Sequence, residues 1–430
     1  MNMKKFIPFV KNNFIVLLLS PIAGLLLLLL VHSFPTETMR RNVYWSMDMI
    51  RSEFTDEVLI DGYRSTLTGN FTDCLMLEHA IYDYSEKGHS TLEQVLHMYR
   101  AESYNVEGDP DGWEPGRSLK DYLESVPQPR EVEYGRYWHG YLIVLKPLLL
   151  LTSVNTIRLL NGAIQLLAIG LIVIGLMKKQ GESLAKAFLI SLPFMFFVST
   201  FASLSLSICF YVLILALLVQ LKWDDKLYEK RVYYLFFLLV GIATAYFDFL
   251  TYPLVTLGYP LCVYLYFHGK DLKDQLTKSV LFCAEWGVGY VIMWASKWIL
   301  SDLLSDSATI SDALSTIGTR TQSANGGYGF GGFTEVLRLN LSPFMNRGYL
   351  LIVLILLIVI FVGFIKNGIK SSLRNIKTVI PFLIISISPF LWYMVTQNHS
   401  VQHWQFTCRL VSITIFAGYT ALQCIVGKKN

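Results

Sequence analysis

About a hundred polar residues, Phe34 to His139, stand between one apolar run and a dense series of further apolar runs, and this order limits the fold more than any other feature. A run of roughly 20 apolar residues crosses a bilayer as a helix, because hydrocarbon offers the backbone no other hydrogen-bond partner. The polar stretch must then lie at a membrane face, between the first crossing and the rest. With 53% hydrophobic and 16% charged residues, an ordinary soluble domain is excluded. The chain is expected to be an all-α polytopic membrane protein. Its parts read as a first transmembrane helix (1–33), a long, mainly helical extracytoplasmic loop (34–140) and a transmembrane bundle (141–430) with a second outer loop at 301–347.

Ile15 to Val31 follows Lys4, Lys5 and Lys11 and lacks a small-residue cleavage site, so it reads as a retained helix rather than a signal peptide. Further spans are predicted near 157–176, 187–201, 204–221, 232–249, 251–267, 280–300, 348–365, 378–395 and 406–425, about ten in all. Lys and Arg recur in alternate links, for example Lys178, Lys179 and Lys186, then Lys222, Lys226, Lys230 and Arg231, then Lys270, Lys273 and Lys278. That bias places these links and both termini in the cytoplasm, and a bacterial cytoplasmic membrane is the expected location. The net charge of +4 is spread over these links, so nucleic acid is not implied as a partner. Cys209, Cys262, Cys283 and Cys424 fall in apolar runs, and no Cys or His spacing matches a zinc site.

Within the first outer loop, Met39, Val43, Met47, Ile50 and Phe54 recur at helical spacing and predict a helix lying on the membrane surface. A second helix is predicted over Thr72 to Tyr84. Ser90 and Glu93 form a capping-box pattern that opens a third, from Thr91 to about Tyr104. Glu107 to Pro129 reads as irregular, and Tyr141 to Leu151 as apolar but too short to span. Asn325 to Gly332 is a glycine-rich outer loop without the ending of a phosphate-binding loop, and serves either as a flap or as a connector.

Ionisable residues at or just beneath the outer surface are the candidates for chemistry, since charge in hydrocarbon is costly. Asp73, in Asn70-Phe71-Thr72-Asp73, is either functional or a first-turn carboxylate that satisfies free helix N–H groups. Asp248, in Tyr246-Phe247-Asp248-Phe249, needs a partner, which is a structural ion pair or a ligand. Arg136 and His139, in Arg136-Tyr137-Trp138-His139-Gly140, suit a phosphate or carboxylate. His399 and His403 share a face if helical and lie close in sequence to Arg409; with no further ligands nearby, anion or sugar contact is expected rather than a metal. Lys297 near a span end either snorkels or reaches a lipid phosphate.

This order of elements, with Asn70-Phe71-Thr72-Asp73, Arg136-Tyr137-Trp138-His139-Gly140, Tyr246-Phe247-Asp248-Phe249 and Asn398-His399-Ser400 with Arg409, resembles the GT-C superfamily of polyprenyl-phosphate-sugar-dependent membrane glycosyltransferases. The resemblance is architectural over most of the chain, sequence-level only at those stretches, and closest to proteins of bacterial cell-wall and surface-polysaccharide assembly. It implies a polyprenyl-phosphate-linked sugar as donor, a glycan or lipid as acceptor, and Asp73 as catalytic base. Arg136, His139, Asp248, His399, His403 and Arg409 would then bind substrate. Asp73 lies farther from the first span than that family has it, with Asp48, Asp56 and Asp61 between, which leaves the choice of base open. No cofactor is assigned, and participation of a divalent cation stays open. The alternatives are a transporter or flippase for a lipid-linked or polar solute, for which no internal repeat is found, and a polysaccharide polymerase.

Overall fold

The computed structural model describes residues 3–46, 56–103, 115–125, 130–323, 332–367 and 376–426. Helix α1 (Met3–His32) leads into the polar insert. The insert carries α2 (Thr36–Tyr44), α3 (Asn70–Ile81), α4 (Thr91–His97) and α5 (Pro115–Leu123), with a small antiparallel ribbon of β1 (Arg100–Glu102) and β2 (Arg130–Val132). The bundle follows as α6 (Leu142–Leu151), α7 (Val154–Lys178), α8 (Glu182–Ser191), α9 (Phe197–Ala202), α10 (Leu204–Glu229), α11 (Tyr233–Phe247), α12 (Val255–His268) and α13 (Leu272–Leu304). After it come α14 (Thr309–Thr321), α15 (Phe333–Leu341), α16 (Arg347–Asn367), α17 (Ile376–Val395), α18 (Gln397–Gln402), α19 (Trp404–Thr407) and α20 (Val411–Val426).

Among the described residues six helices are long and apolar enough to cross a membrane, or seven if the bent pair Phe333–Phe344 and Arg347–Gly363 is one span. The expected third span is broken into α8 and α9, because Pro193 cannot donate within a helix and Phe196 takes a left-handed φ of 56°. Helices α11 and α12, with 15 and 14 residues, reach only about 22 Å at 1.5 Å per residue. They lie inside the bundle, with Phe237, Leu238, Tyr259 and Cys262 fully or almost fully buried. Helix α11 meets α13 backbone to backbone. A Cβ at Gly241 would stand 2.1 Å from the Trp286 carbonyl oxygen, and one at Gly289 2.2 Å from that of Leu238. Only glycine allows this approach, the packing mode of membrane helices that lack a hydrophobic driving force.

The insert is pinned onto the bundle by polar contacts. Lys146 on α6 donates to the Ala80 carbonyl at 2.7 Å, and the Trp138 indole to that of Met293 at 2.6 Å. Lys297 neither snorkels nor reaches lipid. It is fully buried and donates to the carbonyls of Val95 (2.8 Å) and Leu96 (2.6 Å) at the C-terminus of α4, where the Ser301 hydroxyl also donates to Leu96 (3.2 Å).

Several local expectations change. The Ser90/Glu93 capping box is present, but α4 ends at His97, where Met98 turns left-handed at φ 51° and β1 follows. Helix α5 occupies part of the stretch expected to be irregular. Met39 and Val43 of α2 are buried against protein, not laid on lipid; Met47, Ile50 and Phe54 lie outside the described residues. The segment 301–347 contributes α14 and α15, and its glycine-rich part lies outside the described residues apart from Gly332.

Candidate functional site

Where the insert folds over one end of the bundle, a cavity of about 680 Å³ remains. Its walls come from the residues before α3 and the first turns of that helix, the β1–β2 ribbon and Tyr134 to Tyr137, the turn after α11, the end of α14, and the chain from α18 into α19. The polar side chains in these walls differ in one respect that decides what they can do: whether a partner already uses them.

Asp56 lines the cavity and accepts the Phe71 N–H of the first turn of α3 at 3.1 Å. Burial pushes its carboxyl up to about 6, the Phe71 N–H pulls it back, and the charge of Asp73 pushes it up again. Asp56 is therefore the lining carboxylate poised to exchange a proton near neutral pH. Among the cations, Arg130 is bound to Glu102 at 2.6 Å and Arg136 to Asp312 at 2.7 Å, with the Arg136 guanidinium over the Tyr134 ring at 4.8 Å. Arg320 at the end of α14 contacts the neutral Gln402 Oε1 at 3.2 Å, and no carboxylate among the described residues stands within salt-bridge distance of it.

His399 and His403 both line the cavity, with ring centroids 4.9 Å apart. Burial, then the neighbouring His403 and Arg320, holds His399 well below its usual value; burial and Arg320 bring His403 down to about 3. Both rings are neutral at physiological pH. The His399 Nε2 lies 2.8 Å from the Leu250 carbonyl, so it carries the proton and Nδ1 is the acceptor. Among the described residues no group of three or more His, Cys, Asp or Glu is placed to hold a metal ion.

Four of the expected site residues do not line this cavity. Asp73 is fully buried behind it: Oδ1 accepts from the Ser205 N–H (2.8 Å) and hydroxyl (2.6 Å), and Oδ2 from the Leu204 N–H (2.9 Å) and Arg158 (2.7 Å). It braces the N-terminus of α10, and all its close partners are protein groups. Asp248, 2% exposed, has no cation within salt-bridge distance among the described residues; it ends α11 and accepts the N–H of Thr251 at 2.9 Å and its hydroxyl. His139 is buried between the Tyr141 hydroxyl (3.1 Å) and the Tyr134 carbonyl (2.9 Å). Arg409 lies behind Gln405, donates to its carbonyl, and stands over the rings of Phe196 (5.4 Å) and Tyr252 (5.9 Å). Arg136, His399 and His403 do come together with Asp56. Arg100, which lines the cavity and is bound to Glu102 at 3.2 Å, was missed as a site residue together with Arg130 and Arg320, for each sits in a stretch without any local motif.

A second space of about 320 Å³ runs between α3, α6, α7 and α10 and is almost wholly apolar. Val144, Leu160, Ile164 and Leu215 in its walls are 43–58% exposed, so it opens sideways at a bundle surface suited to lipid. Helix α3 separates the two spaces. Its Leu75 faces the polar cavity and its Met76 the apolar groove. No family model, curated protein or solved structure matches the chain.

Proposed function

We propose that the chain is an integral-membrane glycosyltransferase of GT-C type. It moves a sugar from a polyprenyl-phosphate donor to a glycan or lipid acceptor at the outer face of a bacterial cytoplasmic membrane, with both termini cytoplasmic. The carrying observation is the pairing, across α3, of an apolar groove open to the side with a polar cavity lined by the Asp56 carboxylate and by Arg320, which has no carboxylate within salt-bridge distance among the described residues. An amphipathic donor needs both kinds of space. Its isoprenoid tail fits the groove, and its phosphate and sugar fit the cavity.

In this reading the base is Asp56, not Asp73. The acceptor hydroxyl attacks the anomeric carbon while its proton passes to the Asp56 carboxylate, a contribution of roughly 100- to 10,000-fold. The bond between the anomeric carbon and the phosphate oxygen breaks, and its electron pair stays on the lipid phosphate. Arg320 and Arg136 stabilise that charge, Arg320 the more strongly because no carboxylate among the described residues competes for it. His399 and His403, neutral, hydrogen-bond sugar hydroxyls.

The test is transfer from polyprenyl-phosphate sugars by purified protein, run beside solute flux in liposomes of the same preparation. Wild type transfers, and Asp56→Asn loses at least about 100-fold while keeping its melting temperature. Full transfer by Asp56→Asn, or flux without transfer, overturns the proposal.

A further inference from the structure

A second polar cavity, of about 460 Å³, lies at the opposite end of the bundle, between the C-terminus of α10, the start of α11, the end of α12 and the start of α13. Helix α10, 26 residues and about 39 Å long, runs from its N-terminus at Asp73 to this cavity. Arg231, Lys270 and Lys278 line it, and among the described residues none of the three has a carboxylate at salt-bridge distance, although Glu229 and Asp274 line the same space. Three cations against two carboxylates leave one net positive charge. Nearby, Lys179 shows the contrasting case: it is bound to Asp224 at 2.9 Å and Asp225 at 3.0 Å.

The wall opposite the cations is aromatic and held in place. Tyr228 stacks on His268 at 4.1 Å, and His268 is fixed by Asp224 at 2.8 Å. Tyr264 packs edge-on to Tyr233 at 4.7 Å and to Phe282 at 4.8 Å. Arg231 adds a separate observation. It sits just past α10 with a φ of 57°, in the left-handed region that glycine favours, and this residue turns the chain from α10 toward α11 beside the cavity. The floor is apolar, with Leu227 and Leu281, and Val280 beside it is 71% exposed.

We propose that this cavity binds a phosphate-bearing anion through Arg231, Lys270 and Lys278 against the tyrosine wall, and that its source is an anionic phospholipid of the adjoining leaflet. A phosphodiester headgroup carries one negative charge, which matches the one left over in the cavity. The acyl chains leave along the Leu281 and Val280 side. Tyrosines at such a depth suit the boundary between headgroups and hydrocarbon.

The experiment uses the full chain purified in nanodiscs with equal phosphatidylglycerol and phosphatidylcholine, followed by delipidation in steps and native mass spectrometry of retained lipid. Wild type is expected to retain phosphatidylglycerol on the order of tenfold over phosphatidylcholine. Arg231→Gly/Lys270→Gln/Lys278→Gln loses that preference; glycine at 231 relieves the backbone, so the variant folds. A control with Lys222→Gln/Lys226→Gln/Lys230→Gln, cations at the same end but outside the cavity, keeps it. Equal preference in the cavity variant and wild type overturns the proposal, as does equal loss in the control. A melting shift with millimolar inorganic phosphate in wild type alone, without lipid preference, overturns the lipid source in favour of a soluble phosphate.

Discussion

Replacing Asp73 by alanine separates the two roles available to it. Its carboxylate is fully buried and takes four donors: two backbone N–H groups at the start of α10, the Ser205 hydroxyl and the Arg158 guanidinium. Alanine leaves Arg158, whose side chain is 17% exposed, without its anion, and removing one partner of a buried pair costs about 3–5 kcal/mol. It also exposes the first turn of α10 as unpaired donors, at about 1–3 kcal/mol for each one kept from water. These losses share one network and do not add, so about 4 kcal/mol is expected, a large part of a typical total of about 5–15 kcal/mol. Asp73→Asn keeps one acceptor for Ser205 and turns donors toward Arg158, so it falls between. Thermal unfolding in detergent, with Arg158→Ala and the double variant to close the cycle, measures both the loss and the coupling. A variant that melts like wild type yet has lost sugar transfer would refute the reasoning, since a brace cannot be removed without a loss of stability.

Transfer should rise with pH through about 6, where Asp56 ionises, and fall roughly tenfold per unit below about 5; Asp56→Asn should abolish that limb. The sign for stability is opposite: a folded value of about 6 above the ordinary 3.8 means that folding disfavours the charged form. Asp56 therefore destabilises increasingly as pH rises from 3.8 to 6, and Asp56→Asn should melt no lower than wild type at pH 7. Gly241→Ala or Gly289→Ala drives a methyl to within 2.2 Å of a backbone carbonyl oxygen, and should lower stability by at least about 1–3 kcal/mol and reduce the monodisperse yield. Lys297→Met removes the donor to the Val95 carbonyl and leaves that of Leu96 with only the Ser301 hydroxyl, so limited proteolysis should cut the insert faster while the bundle stays intact.

What the chain declared in advance is what depends on neighbours in sequence. The apolar runs, the position of the insert, the Ser90/Glu93 cap and the short length of α6 follow from periodicity and from backbone donors, although α6 runs on through Pro147 where a break was expected. The count of crossings did not follow, because apolar stretches such as 187–201 and 232–267 are equally suited to lipid and to the inside of a bundle. Glycines 241 and 289 hide in the same way. Each looks like a weak helix residue until the facing backbone is known.

The site was harder still, and Asp73 shows why. Read locally, it is either a functional carboxylate or one that satisfies free helix N–H groups; the structure has it doing the latter, for a helix whose first residue lies 131 positions away. Asp56 carries no local mark at all, since what sets it apart is a lining position and burial that raises its pKa. The same reasoning divides the lysines and arginines. Lys146, Lys297 and Arg158 are consumed in holding the insert to the bundle, while Arg320 at one end and Arg231, Lys270 and Lys278 at the other have no carboxylate within salt-bridge distance among the described residues and stand beside open space. A cation beside open space that no carboxylate holds can meet an anionic ligand, so these positions, rather than the most conspicuous charges in the sequence, are where ligands are to be sought.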